Sequence, residues 1–197
     1  MAFWNLATVE PKRNFRYKVI FSGDLGQTEA TKTNAIGQIS MFASDVGKPS
    51  FTQEAATFQY LNHKFNYPGR ITWDDITIKF TDAGGSAGIL DIAQMLMSAA
   101  AAAGYQIPES TSDLKTISKE LANKQVGNLE IHQLNAAGET IEHWNVYNAF
   151  FTTVKFTGLS YGNNELSTVD VTVKYDYARL QVGSGTAAVL IPTNEKR

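Results

Sequence analysis

The sequence predicts a mainly β (α+β) fold, a β-sandwich or barrel-like domain with one flanking α-helix and a second, weaker helical segment. Three observations carry this reading. Apolar and polar residues alternate with period two over several stretches, the pattern of strands with one buried face. Clusters of turn-forming residues punctuate those stretches. A clean switch to the helical period occurs in the middle of the chain, so strands both precede and follow a helix.

The first strand carries Phe15, Tyr17, Val19 and Phe21 on one side and Asn14, Arg16 and Lys18 on the other. Another is expected at about Ile36 to Ala43. From Phe58 to Tyr67 the apolar parity moves from even positions (Phe58, Tyr60) to odd ones (Phe65, Tyr67). Between Ile71 and Phe80 it shifts from Ile71 and Trp73 to Ile76, Ile78 and Phe80, with Asp74 and Asp75 at the switch. One extra residue shifts parity, so a β-bulge is predicted in each, and long bulged strands bend as a curved sheet or barrel wall requires.

The helix is expected to be capped by Ser86, with Asp91 near its positive end. Ile89, Ile92, Ala93, Leu96, Ala100 and Ala103 form its apolar stripe and Gly104 closes it. The second helical segment runs from about Ser112 to Gln125, where Leu114, Ile117 and Leu121 recur at three and four residues. Strands follow at about Asn128 to Leu134, Thr140 to Tyr147 and Phe150 to Phe156, the first two joined by a hairpin turn at Asn135-Ala-Ala-Gly138. After a polar turn at Tyr161-Gly-Asn-Asn164, the last strand alternates Val169, Val171, Val173, Tyr175 and Tyr177 with Thr168, Asp170, Thr172, Lys174 and Asp176. About eight strands result. Residues 1–181 read as a single domain with an N-terminal arm over about 1–12. Residues 182–197, through Ala187-Ala-Val-Leu-Ile191, read as a C-terminal arm.

At 197 residues and 43% apolar, the chain is large enough to bury about 70% of its surface around one core. It contains no cysteine, which removes disulfide scaffolds, thiolate metal centres and thiol nucleophiles together. With 17 basic and 19 acidic residues the net charge is −2, the wrong balance for gripping a polyanion. Charged residues make up 18%, below the roughly 25% of ordinary soluble domains, as expected of surface that ends against other subunits. The start of the chain lacks the basic and apolar runs of a signal peptide. Its most apolar stretch, Gly88 to Gly104, is interrupted by Asp91, Gln94 and Ser98 and falls short of the about 20 residues needed to span a bilayer. No stable membrane insertion is expected.

A search for chemistry returns little. The hairpin turn at 135–138 would put His132 and His143 on neighbouring strands with Glu130 and Glu142 close by, but alternation is expected to scatter these side chains over both faces, short of a metal set. Asp74 and Asp75 are adjacent in a strand and point apart unless a bulge intervenes. Asp82-Ala-Gly-Gly-Ser-Ala-Gly88 precedes a helix but lacks the lysine of a phosphate-binding loop. No histidine–acid pair can be assigned to activate a serine or threonine nucleophile. Aromatic and basic residues interleave from Phe58 to Arg70, including Lys64, but in a net-acidic chain this reads as a strand with mixed faces. No catalytic, cofactor-binding or metal-binding residues are assigned, and the chain reads as no enzyme.

Two blocks carry a family resemblance. One is Phe58-Gln-Tyr-Leu-Asn-His-Lys-Phe-Asn-Tyr-Pro-Gly-Arg70 followed by Ile71-Thr-Trp-Asp-Asp-Ile-Thr-Ile-Lys-Phe-Thr-Asp82. The other is His143-Trp-Asn-Val-Tyr-Asn-Ala-Phe-Phe-Thr-Thr-Val-Lys-Phe156 followed by Val169-Asp-Val-Thr-Val-Lys-Tyr-Asp-Tyr-Ala178. In order and spacing around one helix, they resemble the tail tube protein family of contractile-tailed bacteriophages, related in fold to the Hcp-type tube of type VI secretion.

The resemblance implies a subunit of which six copies close into a ring, with rings stacking into a hollow conduit inside a contractile sheath for genome delivery through the host envelope. Implied partners are copies of itself, the tail sheath protein, the tape-measure protein, the baseplate tube initiator and the tail terminator. The resemblance further implies that DNA passes through the lumen without specific binding. The place implied is the virion tail, after assembly in the host cytoplasm. By position in the family pattern, the loop with Asp45, Val46, Lys48, Pro49, Phe51 and Gln53 would contact the next ring. The arms with Phe3, Trp4 and Leu6 and with Val189, Leu190 and Ile191 would contact neighbouring subunits. A baseplate tube initiator or the tube of a phage-tail-like injection or type VI secretion particle is the near alternative. A monomeric β-sandwich ligand-binding module is the alternative from another class.

Overall fold

In chain order the elements are β1 (Tyr17–Phe21), β2 (Ala43–Val46), β3 (Phe51–Tyr60), β4 (His63–Trp73), β5 (Ile76–Thr81), α1 (Ile92–Ala102), α2 (Lys119–Val126), β6 (Gly127–Leu134), β7 (Thr140–Phe156), β8 (Thr168–Lys174) and β9 (Tyr177–Val182). They come from a computed structural model that describes residues 11–25, 36–37, 39–84, 91–105, 116–162 and 164–183. Seven strands form one sheet in the order β1-β6-β7-β8-β5-β2, with β9 also paired to β7, and β3 and β4 form a separate two-stranded ribbon. All of these pairings are antiparallel.

The sheet folds over on itself because of β7. This 17-residue strand pairs with β6 and β9 along its first half and with β8 along its second. Tyr147 and Asn148 together face Asn128 of β6, and the register with β8 slips again at Thr152, so two bulges bend the strand. Asn148 takes a φ of 56°, a left-handed conformation that asparagine accepts more readily than most residues. Across the bend, Val19, Phe21, Leu129, Ile131 and Val146 meet Ile76, Ile78, Phe80, Val169, Val171 and Val173 in one buried cluster. The Phe21 and Phe80 rings bridge the two halves at 6.2 Å between centroids. Helix α1 adds Ile92, Met95 and Leu96 to the same cluster.

A polar clamp holds the bend. The Asn148 amide donates to Asp176 Oδ2 at 2.7 Å, and Lys119 donates to both Asp176 oxygens at 3.0 and 2.7 Å. Hydrogen bonds from Lys119 and then Asn148 hold the Asp176 carboxyl below its usual range. Buried Gln125, near the end of α2, accepts from the Phe151 backbone N–H at 3.1 Å. Just beyond β1 the chain runs against α2, where the Gly23 N–H donates to the Val126 carbonyl at 2.7 Å. A Cβ on Gly23 would lie 2.5 Å from the Gln125 carbonyl oxygen, so only glycine fits.

The mainly β class, the flanking helix and the Asn135–Gly138 turn match expectation. Asn135 Oδ1 accepts from the N–H groups of Ala137 and Glu139, and Gly138 takes a φ of 80°. Several local readings need correction. The span 36–43 is helical at 36–37 and 39–42 and becomes a strand only at Ala43: Ile36, Ile39 and Phe42 recur every three residues, and Ser40 Oγ donates to the Ile36 carbonyl one turn back. The parity change inside Phe58–Tyr67 is a tight turn at Leu61-Asn62 between β3 and β4, and that at Asp74-Asp75 is the gap between β4 and β5, which belong to different sheets. Neither is a bulge. The two strands predicted at 140–147 and 150–156 are one, β7. The last predicted strand breaks at Tyr175-Asp176, so Tyr177 leaves the buried face and stacks on Tyr147 at 4.7 Å. Phe15 precedes β1 and is exposed.

The cap of α1 is Asp91, whose Oδ1 accepts from Gln94 N–H at 3.0 Å, while Ser86 and Ile89 lie outside the described residues. Helix α2 is capped by Ser118 and starts later than predicted; Ser112 and Leu114 lie outside the described residues. Val182, assigned to the C-terminal arm, still pairs with Glu142 as the last residue of β9.

Candidate assembly surface

The β3–β4 ribbon is the feature of the structure that its own subunit does not account for. Every residue from Phe51 to Thr72 is exposed, and only Trp73 at its base is half-buried. The register pairs Phe58 with Phe65, Ala56 with Tyr67 and Tyr60 with His63, so these side chains share one face. Thr57, Gln59, Lys64 and Asn66 take the other. Phe58, Tyr60, Phe65 and Tyr67 are 57, 63, 44 and 56% exposed. With about 200 Å² per aromatic side chain, roughly 400 Å² of aromatic surface faces water on a single strand pair.

At the tip Leu61 is 87% exposed and adopts a φ of 52°, a conformation costing a branched side chain about 1 kcal/mol or more. At mid-length Gly69 and Arg70 stand opposite Glu54, a bulge in which Gly69 lets the strands close: a Cβ there would be 2.9 Å from the Glu54 carbonyl oxygen. A two-stranded ribbon is marginal in water by itself, and its outer edges offer rows of unpaired backbone groups.

The residues singled out from the sequence lie at the root of this ribbon, not in one loop. Asp45 and Val46 belong to β2, paired with Lys79 and Ile78 of β5. Lys48 turns inward, donating to Glu142 Oε1 at 2.8 Å and to Gln133 Oε1 at 2.6 Å, and Pro49 is buried. Phe51 and Gln53 open β3: the Phe51 ring packs edge-on against Trp73 at 5.4 Å, and the Gln53 amide donates to the Gly69 carbonyl at 3.4 Å. The structure thus turns Asp45, Phe51 and Gln53 outward and commits Lys48 and Pro49 to the subunit. Phe3, Trp4, Leu6, Val189, Leu190 and Ile191 lie outside the described residues. The signal for a hairpin was present, in two runs of alternating aromatics separated by two residues.

The root is locked electrostatically. Glu142, a buried carboxylate of β7, accepts from Lys12, Lys48 and the Trp144 indole N–H. Burial alone would push this carboxyl up, but those three hydrogen bonds and the charge of Lys48 outweigh it and hold it at about 2. The lock joins the segment before β1, the β2–β3 connection and β7. Tyr175, which packs on Trp73 at 5.8 Å, has its phenol pushed up to about 12 by burial and then by the Asp74 charge.

The other candidates resolve as follows. Asp74 accepts from Ser50 Oγ at 2.9 Å, while Asp75 lies 3.8 Å from Lys174, so the two acids serve separate contacts. Of 82–88, only 82–84 are described. Lys64 stands on the polar face of the ribbon and Arg70 in its bulge. The histidines differ from expectation: His132 and His143 are directly opposite in register and share a face with Glu130, while Glu142 points to the other face.

A mainly β subunit that leaves an aromatic ribbon uncovered, beside a buried lock that fixes the ribbon's root, is a structural subunit built to pack against other chains. The chain belongs to the family described as T4-like virus tail tube protein gp19, whose model matches residues 13–179. It is a structural tail tube subunit and a component of the virion tail. Among solved structures, its fold is similar to a chain of an extracellular contractile injection system, the PVC sheath–tube complex in the extended state, at 17% identity, a TM-score of 0.60, and 93% of this chain and 99% of that one covered. The PVC sheath/tube terminator matches at 17% identity and a TM-score of 0.60, with 89 and 100% covered. The tube-terminating cap of the anti-feeding prophage matches at 17% identity and 0.58, with 90 and 95% covered. At such identities the likeness is one of fold. No curated protein matches the sequence.

Proposed function

We propose that six copies of this subunit close into a ring and that rings stack into the main tail tube, a conduit for genome delivery, with the β3–β4 ribbon as the principal contact between subunits. The observation that carries this reading is the uncovered ribbon. Covering roughly 400 Å² of aromatic surface supplies about 10 kcal/mol of gross hydrophobic driving force per subunit, enough to offset much of the cost of association. Neighbouring strands would also satisfy the open backbone edges. Asp45, Phe51 and Gln53 extend the contact at the ribbon's root, while Lys48 and Pro49 hold that root in place. The arms with Phe3, Trp4 and Leu6 and with Val189, Leu190 and Ile191 add apolar contacts to adjacent copies. In this reading the tube is laid down in the host cytoplasm from a baseplate initiator, around a tape-measure protein and within a sheath, and is closed by a terminator. DNA crosses its lumen without specific binding.

Deleting 45–53 would remove Asp45 and Val46 from the sheet and Lys48 from the lock, so substitution on the ribbon is the cleaner test. In Phe58→Ser/Tyr67→Ser the subunit is expected to keep its thermal unfolding transition and remain a 21.6 kDa species in native mass spectrometry. The unaltered chain is expected to give rings of about 130 kDa or hollow tubes in negative-stain electron micrographs. Normal tubes from the double variant overturn the assignment of the ribbon.

A further inference from the structure

The face of β6, β7 and β9 that points away from the core carries a constellation the tube reading does not use. Glu130 and His132 alternate on one side of β6, and register sets His132 directly opposite His143 of β7. The two imidazoles stack at 4.0 Å between centroids, 19° from parallel. Both send Nε2 toward the same carboxylate oxygen: Glu130 Oε2 lies 3.1 Å from His132 Nε2 and 3.4 Å from His143 Nε2. A donor atom from each of the three lies within 4.8 Å of the others.

The far side of each ring is held as well. His143 Nδ1 is 3.2 Å from Gln181 Oε1, and His132 Nδ1 is 3.3 Å from Thr140 Oγ1. The Gln181 oxygen accepts only, so in the neutral imidazole the His143 proton sits on Nδ1 and Nε2 carries the lone pair. That Nε2 is buried and has no hydrogen-bond partner. A lone pair facing a carboxylate oxygen at 3.4 Å is two acceptors set against each other, an arrangement a cation between them relieves.

We propose that Glu130, His132 and His143 form a binding site for a divalent transition metal of the zinc class. The two spacings to Glu130 suit one, since donors bound at about 2.0–2.2 Å in a tetrahedron stand about 3.4 Å apart; an ion lies in the plane of each imidazole it binds, so the stacked rings splay on binding. Two imidazoles and one carboxylate select zinc-like ions over magnesium or calcium, which take oxygen donors. Gln181 and Thr140, beside the two Nδ1 atoms, leave the Nε2 atoms to face the ion. Three protein donors leave the fourth position to water. Lys18 of β1, the register partner of His132, places a cation beside the site and moderates its affinity. The site joins β6 to β7 within one chain.

The test uses the full chain, dialysed against chelator and then titrated with ZnCl₂ or MgCl₂, with bound metal measured by equilibrium dialysis and unfolding followed by circular dichroism. About one Zn²⁺ per chain is expected, with no Mg²⁺ uptake and a Zn²⁺-dependent rise in Tm. His132→Gln and His143→Gln, each verified as folded by its far-UV spectrum, are expected to weaken Zn²⁺ binding more than tenfold, and Gln181→Leu about tenfold. His63→Gln, on the ribbon, is expected to bind as the parent does. Should His143→Gln fail to fold, His132→Gln and Glu130→Gln on the neighbouring strand decide the matter. No stoichiometric uptake, with the cluster holding a shared proton instead, overturns the proposal. So does uptake unchanged by loss of His132 or Glu130.

Discussion

Replacing Glu142 by glutamine removes one charge from the lock while nearly preserving its shape, and the structure sets how that loss depends on pH. The carboxyl stands at about 2 in the folded chain, against roughly 4.3 in an unfolded one. The gap corresponds to about 3 kcal/mol. Because the folded value is the lower, this stability is fully present above about pH 5 and drains away as pH falls toward 2. About half remains at pH 3. Lys12 and Lys48 are half-exposed and regain water when the charge is gone, so Glu142→Gln is expected to cost about 2 kcal/mol at pH 7. The assay is urea unfolding at pH 7, 5, 4 and 3, performed in the Phe58→Ser/Tyr67→Ser background so that assembly does not contribute. Other acids, Asp176 among them, titrate in both chains and cancel in the difference. The gap between parent and variant is expected to narrow steadily below pH 5. A gap of the same size at pH 7 and pH 3 refutes the argument, because it means the carboxylate's charge contributes nothing beyond its shape.

Two further substitutions probe the backbone. Gly23→Ala forces a methyl group to 2.5 Å from the Gln125 carbonyl and is expected to cost at least about 3 kcal/mol, read as a lowered urea midpoint or as loss of soluble protein. Asn148→Val places a β-branched residue at a φ of 56° and loses the bond to Asp176; roughly 2–3 kcal/mol, or about 7 °C in Tm, is expected, whereas Asn148→Gly recovers most of it.

Period-two alternation made the sheet legible, because strands with one buried face write their geometry into polarity: β8 reads directly as Val169, Val171 and Val173 buried against Asp170 and Thr172 half-buried. Alternation says nothing about which neighbour a strand pairs with. The ribbon therefore reads as a bent wall, since an uncovered aromatic face looks in sequence like one that packs on its own core. Alternation also ran on through Tyr175 and Tyr177, although the chain turns a corner between them. Lys48 and Glu142 stand 94 positions apart, so no local pattern announces their contact. The histidine cluster failed for a related reason. Its three members fall on one face only because register sets position 132 against 143, which the turn length implied and the polarity pattern did not.

One strand, β7, serves both halves of the folded sheet. A load on either half therefore reaches the other along covalent backbone and not only through side-chain packing, and the two layers cannot shear apart without breaking the ladders on both ends of one continuous chain. The clamp of Asn148, Asp176 and Lys119 sits at the elbow of that load path. For a subunit of a tail tube, stiffness is thus concentrated at a single bend, and softening that bend would make the wall compliant before it made the subunit unfold.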